Sequence, residues 1–564
     1  MTPSQQAALD ALFRDFARGD APGLVVGVAQ HGRTLYRRGL GLASIEHGVA
    51  NTPATRMRIG STSKQFTCLA VLLLAEDGLL DIDAPARRYL PELPDLTAIG
   101  EAEPTLHQLM THTSGLRCYL DLGFISDGAS IKPPGFARST QLRQRESNFA
   151  PGTNMVYCNS GYQLLSWVIE QAAGIPFEDF LEQRIFTPLG MADTRSVPSD
   201  FELHPGVATL HVPTTRGWRR GIFPSEELRG EGAMVSTIDD MLRWLTHVRQ
   251  PTLGSAATWR QMLAPTALAS GLVNPYALGL MRHRYRGVEV IHHPGGVTGG
   301  ASQMLTVPAE ALDIIVISNG AKGASPRELA NRIVDIMLGE DKLAAPEWQA
   351  DGARFAPMLG RRYRGRDSGL VFSFAQAPGS KLGLRLINGP PVALRDDGAQ
   401  LSLPFEAMAI GPFVLETAQL ARAGAAPARL ELCEAGGRES FDLLPEPPPT
   451  LAEAGAALAG RFWSPDLAAE ATIRWQDDQL LLQIHGSYGG NLIALQPFSS
   501  EVFGCEEIDP NSLQPRSAVL RVEKRDGRIT GFRIDTPRTR HLWFERLTVN
   551  TVINNPLEES SHVA

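Results

Sequence analysis

The segment Ser61-Thr62-Ser63-Lys64 sets a hydroxyl and an amine one helical turn apart, directly before the apolar run Phe66 to Leu74. Residues three apart on a helix share a face, so the Ser61 hydroxyl and the Lys64 amine are expected to be neighbours. A serine needs a nearby base to become a nucleophile, and a lysine held against an apolar helix can be desolvated enough to serve. The spacing therefore predicts a nucleophile and its base, with Ser61 as an ordinary helix N-cap as the alternative.

A second polar segment, Tyr157-Cys158-Asn159, lies between the turn signal Pro151-Gly152 and a helix predicted from Ser160. Its phenol could relay protons between nucleophile and leaving group, and its amide could hold a substrate carbonyl. The alternative is structural: Tyr157 as a partly buried aromatic residue and Asn159 as a helix cap.

A third segment, His293-Pro294-Gly295-Gly296, ends the strand predicted over 288–292. Because side chains alternate along a strand, only one of His292 and His293 can face a cleft. The glycines would let a substrate lie against the backbone, where a glycine N–H could stabilise an oxyanion. A tight turn carrying an exposed pair of histidines is the alternative.

These segments require a scaffold of mixed helices and strands, which the patterns of residues 1 to about 340 predict. Both ends of this region carry strand signals, so a single α+β domain whose sheet joins the two ends is expected. The predicted elements are a hairpin at 24–30 and 34–36, helices at 64–77, 105–111, 160–173, 176–186, 237–248 and 325–339, and strands at 288–292, 302–307 and 312–318.

Beyond the linker at 344–346, short alternating strands are interrupted by Gly, Pro and Asp about every ten residues, which is typical of small antiparallel barrels. A loose repeat relates 359–363 to 458–462 and 381–386 to 479–484. The predicted fold is therefore multidomain. It comprises an α+β domain over 1–343, two antiparallel β-barrels over 347–446 and 450–549, and an irregular tail over 550–564.

The composition of the 564-residue chain excludes several classes of function. The net charge is −8 and no Lys/Arg block stands out, so nucleic acid is not an expected partner. Five scattered cysteines form neither a disulfide framework nor a metal-ligand set, and no metal or cofactor is expected. The N-terminus lacks a basic and apolar leader, and no apolar run is long enough to span a membrane. A cytoplasmic location without membrane contact is expected.

In their order and spacing, the motifs Ser-x-x-Lys, Tyr-x-Asn and His-x-Gly resemble those of the penicillin-recognising serine hydrolases. This superfamily includes class C β-lactamases, DD-peptidases, family VIII esterases and D-aminopeptidase. The segments 109–116, 188–191 and 232–240 are also similar, and the resemblance covers residues 10–340. Many relatives carry Lys where this chain has His293. Together with the segments 63–68 and 157–159, that histidine makes the chain most similar to D-aminopeptidase, which also carries two antiparallel β-barrels.

The resemblance implies a role for each matched residue. Ser61 would attack the carbonyl and become acylated, while Lys64 and Tyr157 would share the proton chemistry, with the primary base undecided. Asn159 would hold the substrate carbonyl. His293 would line the opposite wall and support Tyr157.

The resemblance also places the oxyanion hole at the N–H groups of Ser61 and Gly296. It implies a D-stereospecific aminopeptidase or amidase acting on small peptides or amino-acid amides, and it implies acylation by β-lactams. It allows a homodimeric assembly. An esterase or β-lactam-interacting hydrolase of the same fold is one alternative, and a non-catalytic binding protein is another.

In D-aminopeptidase a loop of the last barrel enters the cleft and presents a carboxylate to the α-ammonium group of the substrate. The Gly-rich stretch 485–491 is the matching loop here, with Asn491 as the substrate-binding residue. A hairpin loop far from the site is the alternative. The stretch contains no Asp or Glu. An amide can accept a hydrogen bond from an ammonium group but carries no charge, so an amino-acid amide, an ester or an uncharged amide would also fit as substrate.

Overall fold

A computed structural model describes residues 1–96, 102–346, 349–403, 413–421 and 426–548, and the predicted tail over 550–564 lies outside these residues. The strands of the N-terminal part are β1 (Leu24–Gln30), β2 (Arg33–Leu40), β3 (Leu42–Ser44), β4 (Val49–Ala50), β5 (Met57–Arg58), β6 (Arg195–Ser196), β7 (His211–Thr214), β8 (Gly217–Arg220), β9 (Met234–Ser236), β10 (Thr266–Ala267), β11 (Val273–Asn274), β12 (Met281–Tyr285), β13 (Val288–Val297), β14 (Gly300–Val307) and β15 (Leu312–Ser318). Its helices are α1 (Pro3–Phe13), α2 (Lys64–Glu76), α3 (Leu106–Met110), α4 (Tyr119–Asp127), α5 (Phe136–Leu142), α6 (Asn159–Ala173), α7 (Phe177–Leu181), α8 (Ile238–Arg249), α9 (Ala256–Met262) and α10 (Pro326–Leu338).

The main sheet of this part is antiparallel, with strand order β12-β13-β14-β15-β1-β2. Strand β1 pairs with β15, with Leu24 opposite Ser318, so the sheet joins the two ends of the region as predicted. Strand β15 is buried along its whole length because both faces of the sheet are covered. Ile315 packs in the core that contains α2 and α8, whereas Ile314 packs in the core that contains α1 and α10.

The C-terminal part consists of two antiparallel β units, which confirms the predicted fold class. Their strands are β16 (Arg362–Gly365), β17 (Val371–Ala377), β18 (Lys381–Leu386), β19 (Val392–Ala393), β20 (Arg395–Asp396), β21 (Gln400–Ser402), β22 (Phe413–Glu416), β23 (Arg429–Glu434) and β24 (Gly437–Leu443) in the first unit, and β25 (Gly460–Ser464), β26 (Ala469–Gln476), β27 (Gln479–His485), β28 (Gly490–Pro497), β29 (Val502–Ile508), β30 (Pro515–Arg525), β31 (Arg528–Asp535) and β32 (Leu542–Arg546) in the second. Two short helices, α11 (Ala418–Ala421) and α12 (Leu451–Gly455), accompany them.

The second unit is a closed eight-stranded barrel, and the first is a nine-stranded sheet whose edge strands, β19 and β20, follow one another in the chain. In each unit the first strand pairs with the last, β16 with β24 and β25 with β32. The repeated segments 381–386 and 479–484 both form the third strand of their unit. The domain boundaries predicted from the sequence stay a prediction.

Helix α4 joins the N-terminal part to the closed barrel. Leu122 of this helix belongs to the apolar core of the barrel. Nearby, the buried Arg117 guanidinium donates to Asp466 of the barrel at 2.7 Å and to the Arg540 carbonyl at 2.9 Å. The turn between β31 and β32 is thereby held against the N-terminal part.

Among the residues that the structure describes, no helix combines the length and the apolar character that crossing a membrane would need.

Candidate active site

Ser61 lies in a 3-10 turn over Gly60–Ser63, and the α-helix begins at Lys64, where the helix predicted over 64–77 also begins. The turn packs tightly against β13. Gly60 has a φ of +53°, and a Cβ at this position would lie 2.8 Å from the Gly296 nitrogen. A Cβ at Gly295 would lie 1.9 Å from the Ile59 oxygen. Glycines at both positions therefore bring the backbone beside Ser61 next to that of Gly296.

The Lys64 amine is buried and makes three polar contacts. Its Nζ lies 2.6 Å from the Glu231 carbonyl oxygen, 2.8 Å from Asn159 Oδ1 and 3.3 Å from Ser61 Oγ. The two carbonyl oxygens can only accept, whereas the Ser61 hydroxyl can also donate. A neutral amine fits this arrangement, with two N–H groups donated to the carbonyls and its lone pair facing the hydroxyl.

Burial lowers the pKa of Lys64 to about 7, because the charged form loses its hydration. The carboxylate of Glu231 opposes this effect, and the Arg538 guanidinium adds to it. At neutral pH a substantial fraction of the Lys64 amine is therefore uncharged.

The Tyr157 side chain is buried beside the same amine, with its ring centroid 4.8 Å from Lys64 Nζ. Its hydroxyl makes no hydrogen bond of normal geometry to any residue within the described ranges. Burial raises the pKa of Tyr157, and the nearby Ser61 hydroxyl partly lowers it. Tyr157 therefore reaches the site, but its phenol stays protonated at neutral pH, whereas the Lys64 amine can be free there.

His293 belongs to a chain of hydrogen bonds in which every proton can be assigned. The backbone N–H of Cys158 donates to His112 Nδ1 at 3.1 Å, so His112 Nε2 carries the proton and donates to the Tyr276 hydroxyl at 3.0 Å. The Tyr276 hydroxyl then donates to His293 Nε2 at 3.0 Å, and His293 Nδ1–H donates to the Pro294 carbonyl at 2.6 Å. Burial lowers the pKa of His293 to about 3. The imidazole is therefore neutral.

This series of hydrogen bonds gives His293 a different partner from the one that was expected. The His293 and Tyr157 rings lie 6.5 Å apart between centroids, and His293 bonds to Tyr276 instead. His292 points to the other face of β13, where its Nε2 lies 2.8 Å from His283 Nε2. Only one of the two neighbouring histidines faces the cavity, as the strand alternation predicts.

A cavity of about 420 Å³ opens in front of Ser61. The structure gathers six of the seven predicted site residues at this cavity, Lys64 through its contact with Ser61. The other five line the wall directly: Ser61, Tyr157, Asn159, His293 and Gly296.

Asn491, the seventh, lies outside this cavity. Its amide donates to the carbonyl oxygens of Phe124 and Ile125 at 2.5 and 3.0 Å, and Asp127 Oδ1 accepts from the Tyr488 backbone N–H at 2.6 Å. The loop 485–491 therefore caps the C-terminal end of α4, where helix carbonyls lack partners within the helix.

A different barrel segment reaches the cavity, the turn between β31 and β32. Arg538 of this turn lines the cavity, and its guanidinium carbon lies 5.0 Å from the Tyr157 ring centroid. The turn is held by Asn148, which accepts from the Arg540 backbone N–H at 2.7 Å and donates to the Arg538 carbonyl at 3.0 Å.

Two carboxylates in the cavity wall were not predicted from the sequence. Glu231 is buried, with Oε1 accepting from the Tyr119 hydroxyl at 2.5 Å and Oε2 from the Arg229 backbone N–H at 3.2 Å. Burial raises the pKa of Glu231. Asp121, in the first turn of α4, accepts from the Thr536 hydroxyl at 2.5 Å. Glu231 stands between two glycines, which is a weak signal, and no local pattern marks Asp121 or Arg538.

Comparison with known proteins shows the family of the chain. Residues 9–337 match the Beta-lactamase family. The D-aminopeptidase of Brucella canis is 30% identical over 394 residues, 69% of this chain and 72% of the relative. The D-aminopeptidase of Gluconobacter oxydans is 28% identical over 97% of this chain and its whole length.

Among solved structures, an octameric penicillin-binding protein homologue from Pyrococcus abyssi superposes with a TM-score of 0.53 at 18% identity. The superposition covers 96% of this chain and all of that one. At this identity the likeness concerns the fold, including the C-terminal β units.

Proposed function

The chain belongs to the beta-lactamase family and is a hydrolase, and from this premise we propose that it cleaves D-amino-acid amides or short peptides through an acyl-enzyme on Ser61. One observation carries the proposal: the buried Lys64 amine lies within hydrogen-bond distance of two carbonyl oxygens and of the Ser61 hydroxyl, an arrangement that fits a neutral amine. A base placed this way takes the hydroxyl proton as the oxygen attacks a carbonyl.

In the proposed acylation step, Ser61 Oγ bonds to the substrate carbonyl carbon and its proton passes to Lys64 Nζ. The negative charge on the carbonyl oxygen is stabilised by the N–H groups of Ser61 and Gly296, each worth about 3 kcal/mol of transition-state stabilisation. The leaving amine departs as it receives the proton from Lys64, and Tyr157 is positioned to assist. Water then attacks the ester carbonyl carbon while its proton passes to Lys64 Nζ, and Ser61 Oγ leaves as it regains that proton, which releases the acid.

We assign the recognition of the α-ammonium group of the substrate to Asp121 instead of Asn491. Asp121 is a carboxylate in the wall of the Ser61 cavity, whereas the Asn491 amide donates its hydrogen bonds to carbonyl oxygens at the end of α4. Glu231 also lines the cavity, but both of its oxygens already accept hydrogen bonds. A carboxylate supplies the charge that an amide lacks.

Three substrates test the proposal: D-alanine p-nitroanilide, L-alanine p-nitroanilide and p-nitrophenyl butyrate. We expect turnover of the D-anilide over the L-anilide, complete loss of activity in Ser61→Ala, and full activity in Ser4→Ala, an exposed control. Turnover of the ester alone would refute the amidase and favour an esterase. A fluorescent penicillin that labels the wild type but not Ser61→Ala would exclude a purely binding role.

The role of Asp121 has its own test. Asp121→Asn should lower kcat/KM for D-alanine p-nitroanilide by 10- to 100-fold through KM and leave p-nitrophenyl butyrate unchanged, because only the anilide carries an ammonium group. Asp526→Asn, at an exposed hairpin of the closed barrel, is the control for the loss of one carboxylate. Equal loss on both substrates would show that Asp121 acts on the fold instead. A homodimer is part of the proposal and is tested by light scattering.

A further inference from the structure

A second cavity of about 490 Å³ lies between α4 and the two β units. We call it the inter-barrel chamber. Its wall is mostly aliphatic and includes Leu384 and Leu386 from the first unit and Leu482, Ile484 and Ile534 from the closed barrel. Cavities of this size with apolar walls are typical of small-molecule sites. The chamber is about three times the size of the ~150 Å³ apolar cavity that takes up benzene, so it has room for a group larger than a phenyl ring.

The chamber adjoins the Ser61 cavity. Asp121, Phe124 and Arg538 line both cavities, so the two meet at these three side chains. The junction carries both signs of charge. Within the described ranges, the Arg538 guanidinium forms no ion pair and no hydrogen bond, and its contact is with the Tyr157 ring. By contrast, Arg516 of the chamber wall is paired with Asp509 at 2.5 Å.

An amino-acid substrate has the shape to extend from the Ser61 cavity into the chamber. One carbon atom carries the scissile carbonyl, the α-ammonium group and the side chain. With the carbonyl at Ser61 and the ammonium group at Asp121, which stands at the junction, the side chain leaves from a point that borders the chamber. Beyond the junction the wall is mostly aliphatic, with Glu507 and Arg516 as its charged members, so an apolar side chain gains most from entering it.

Resting on the proposed function, we propose that the inter-barrel chamber binds a long aliphatic side chain of the D-residue that acylates Ser61. The preferred substrates are then D-amino-acid amides with linear side chains, and D-alanine is a poor substrate because its methyl group stops short of the chamber. The aliphatic wall favours the chain by removing it from water, at about a fourfold gain in affinity for each buried methylene.

A series of p-nitroanilides of D-alanine, D-norleucine, D-2-aminooctanoic acid and D-2-aminodecanoic acid tests this. We expect kcat/KM to rise along the series by about fourfold per methylene until the chamber is filled. Ala518→Trp places an indole in the chamber wall, outside the residues that line the Ser61 cavity. This variant should lower kcat/KM for the p-nitroanilide of D-2-aminodecanoic acid at least 100-fold and leave kcat/KM for D-alanine p-nitroanilide within twofold of the wild type. Ala452→Trp, at an exposed position of α12, is the matched control. Ala518→Leu serves if the tryptophan variant does not fold.

A binding measurement separates the chamber from the reaction. Calorimetric titration of Ser61→Ala with D-2-aminodecanoic acid should show binding that Ala518→Trp abolishes and Ala452→Trp retains. If D-alanine p-nitroanilide is cleaved but chain length and Ala518→Trp have no effect, the chamber proposal is overturned and the proposed function stands. If no anilide is cleaved but the binding remains sensitive to Ala518→Trp, the proposed function is overturned and the chamber stands as an amphiphile site.

Discussion

Replacing Arg538 by glutamine should shift the pH dependence of catalysis to higher pH. The acylation step needs neutral Lys64, so kcat/KM should rise with pH through the pKa of this amine, about 7 in the wild type. The positive charge of Arg538 disfavours a second positive charge on Lys64 and lowers its pKa. Removing that charge raises the pKa, so a smaller fraction of the enzyme carries the free base at pH 7.

The structure sets the size of this shift. Lys64 Nζ and the Arg538 guanidinium carbon lie 4.8 and 5.0 Å from the same Tyr157 ring centroid, so the two charges are within about 10 Å of each other. At ~10 Å the repulsion is about 0.4 kcal/mol in water and about 1.7 kcal/mol at an effective dielectric constant of 20. Arg538 is only half-buried, so solvent screening places the effect between these limits. The midpoint should rise by about 0.3 to 1.2 pH units.

The assay is kcat/KM for D-alanine p-nitroanilide from pH 5.5 to 9 at low ionic strength. Arg525→Gln, at an exposed end of β30, removes the same charge from the barrel far from the cavity and should leave the midpoint unchanged. Glu231→Gln should move the midpoint the other way, because the Glu231 carboxylate raises the pKa of Lys64. An Arg538→Gln profile that coincides with the wild type, or that moves to lower pH, would refute the assignment of Lys64 as the base.

Three further substitutions test the supports of the site. Gly60→Ala should reduce kcat 100- to 1,000-fold and destabilise the fold by about 1–2 kcal/mol in urea unfolding, because a methyl group on a φ of +53° would push away the backbone of Gly296, the proposed oxyanion donor. Tyr276→Phe should lower the free energy of unfolding by about 1–3 kcal/mol and also lower kcat, because His293 Nε2 loses its hydrogen-bond donor. An unchanged free energy of unfolding would refute the series of hydrogen bonds. Asp127→Asn should weaken the binding of loop 485–491 to the end of α4 by about 1–2 kcal/mol, so a protease should cleave the loop faster. A cleavage rate equal to that of the wild type would contradict this.

The parts of the site that were predictable depend on short-range patterns. Ser61 and Lys64 are three residues apart, and the 3-10 turn that leads into α2 is enough to make them neighbours. Strand alternation correctly limits the cavity-facing histidines of β13 to one, His293. The pairing of β1 with β15 followed from strand signals at both ends of the region.

The parts that were missed depend on contacts between segments far apart in the chain. His293 meets Tyr276 instead of Tyr157 because the β12–β13 register and the preceding loop decide which ring lies beside it. More than one turn of the closed barrel contacts the N-terminal part, and glycine content alone does not tell which of them reaches the cavity. The Gly-rich loop 485–491 binds the end of α4, whereas a turn without glycines carries Arg538 into the cavity.

The buried Arg117 binds the turn between β31 and β32, and this contact between distant parts of the chain has a consequence for biosynthesis. A ribosome makes Ser61 and Lys64 well before Arg538, and domains generally fold in the order of their synthesis. The N-terminal part can therefore assemble its serine and lysine while the wall that Arg538 supplies is still missing. A nascent chain that lacks the closed barrel would hold a wider cleft, and the closed barrel, made later, would narrow it. Substrate selection would then be acquired only after the closed barrel has been made.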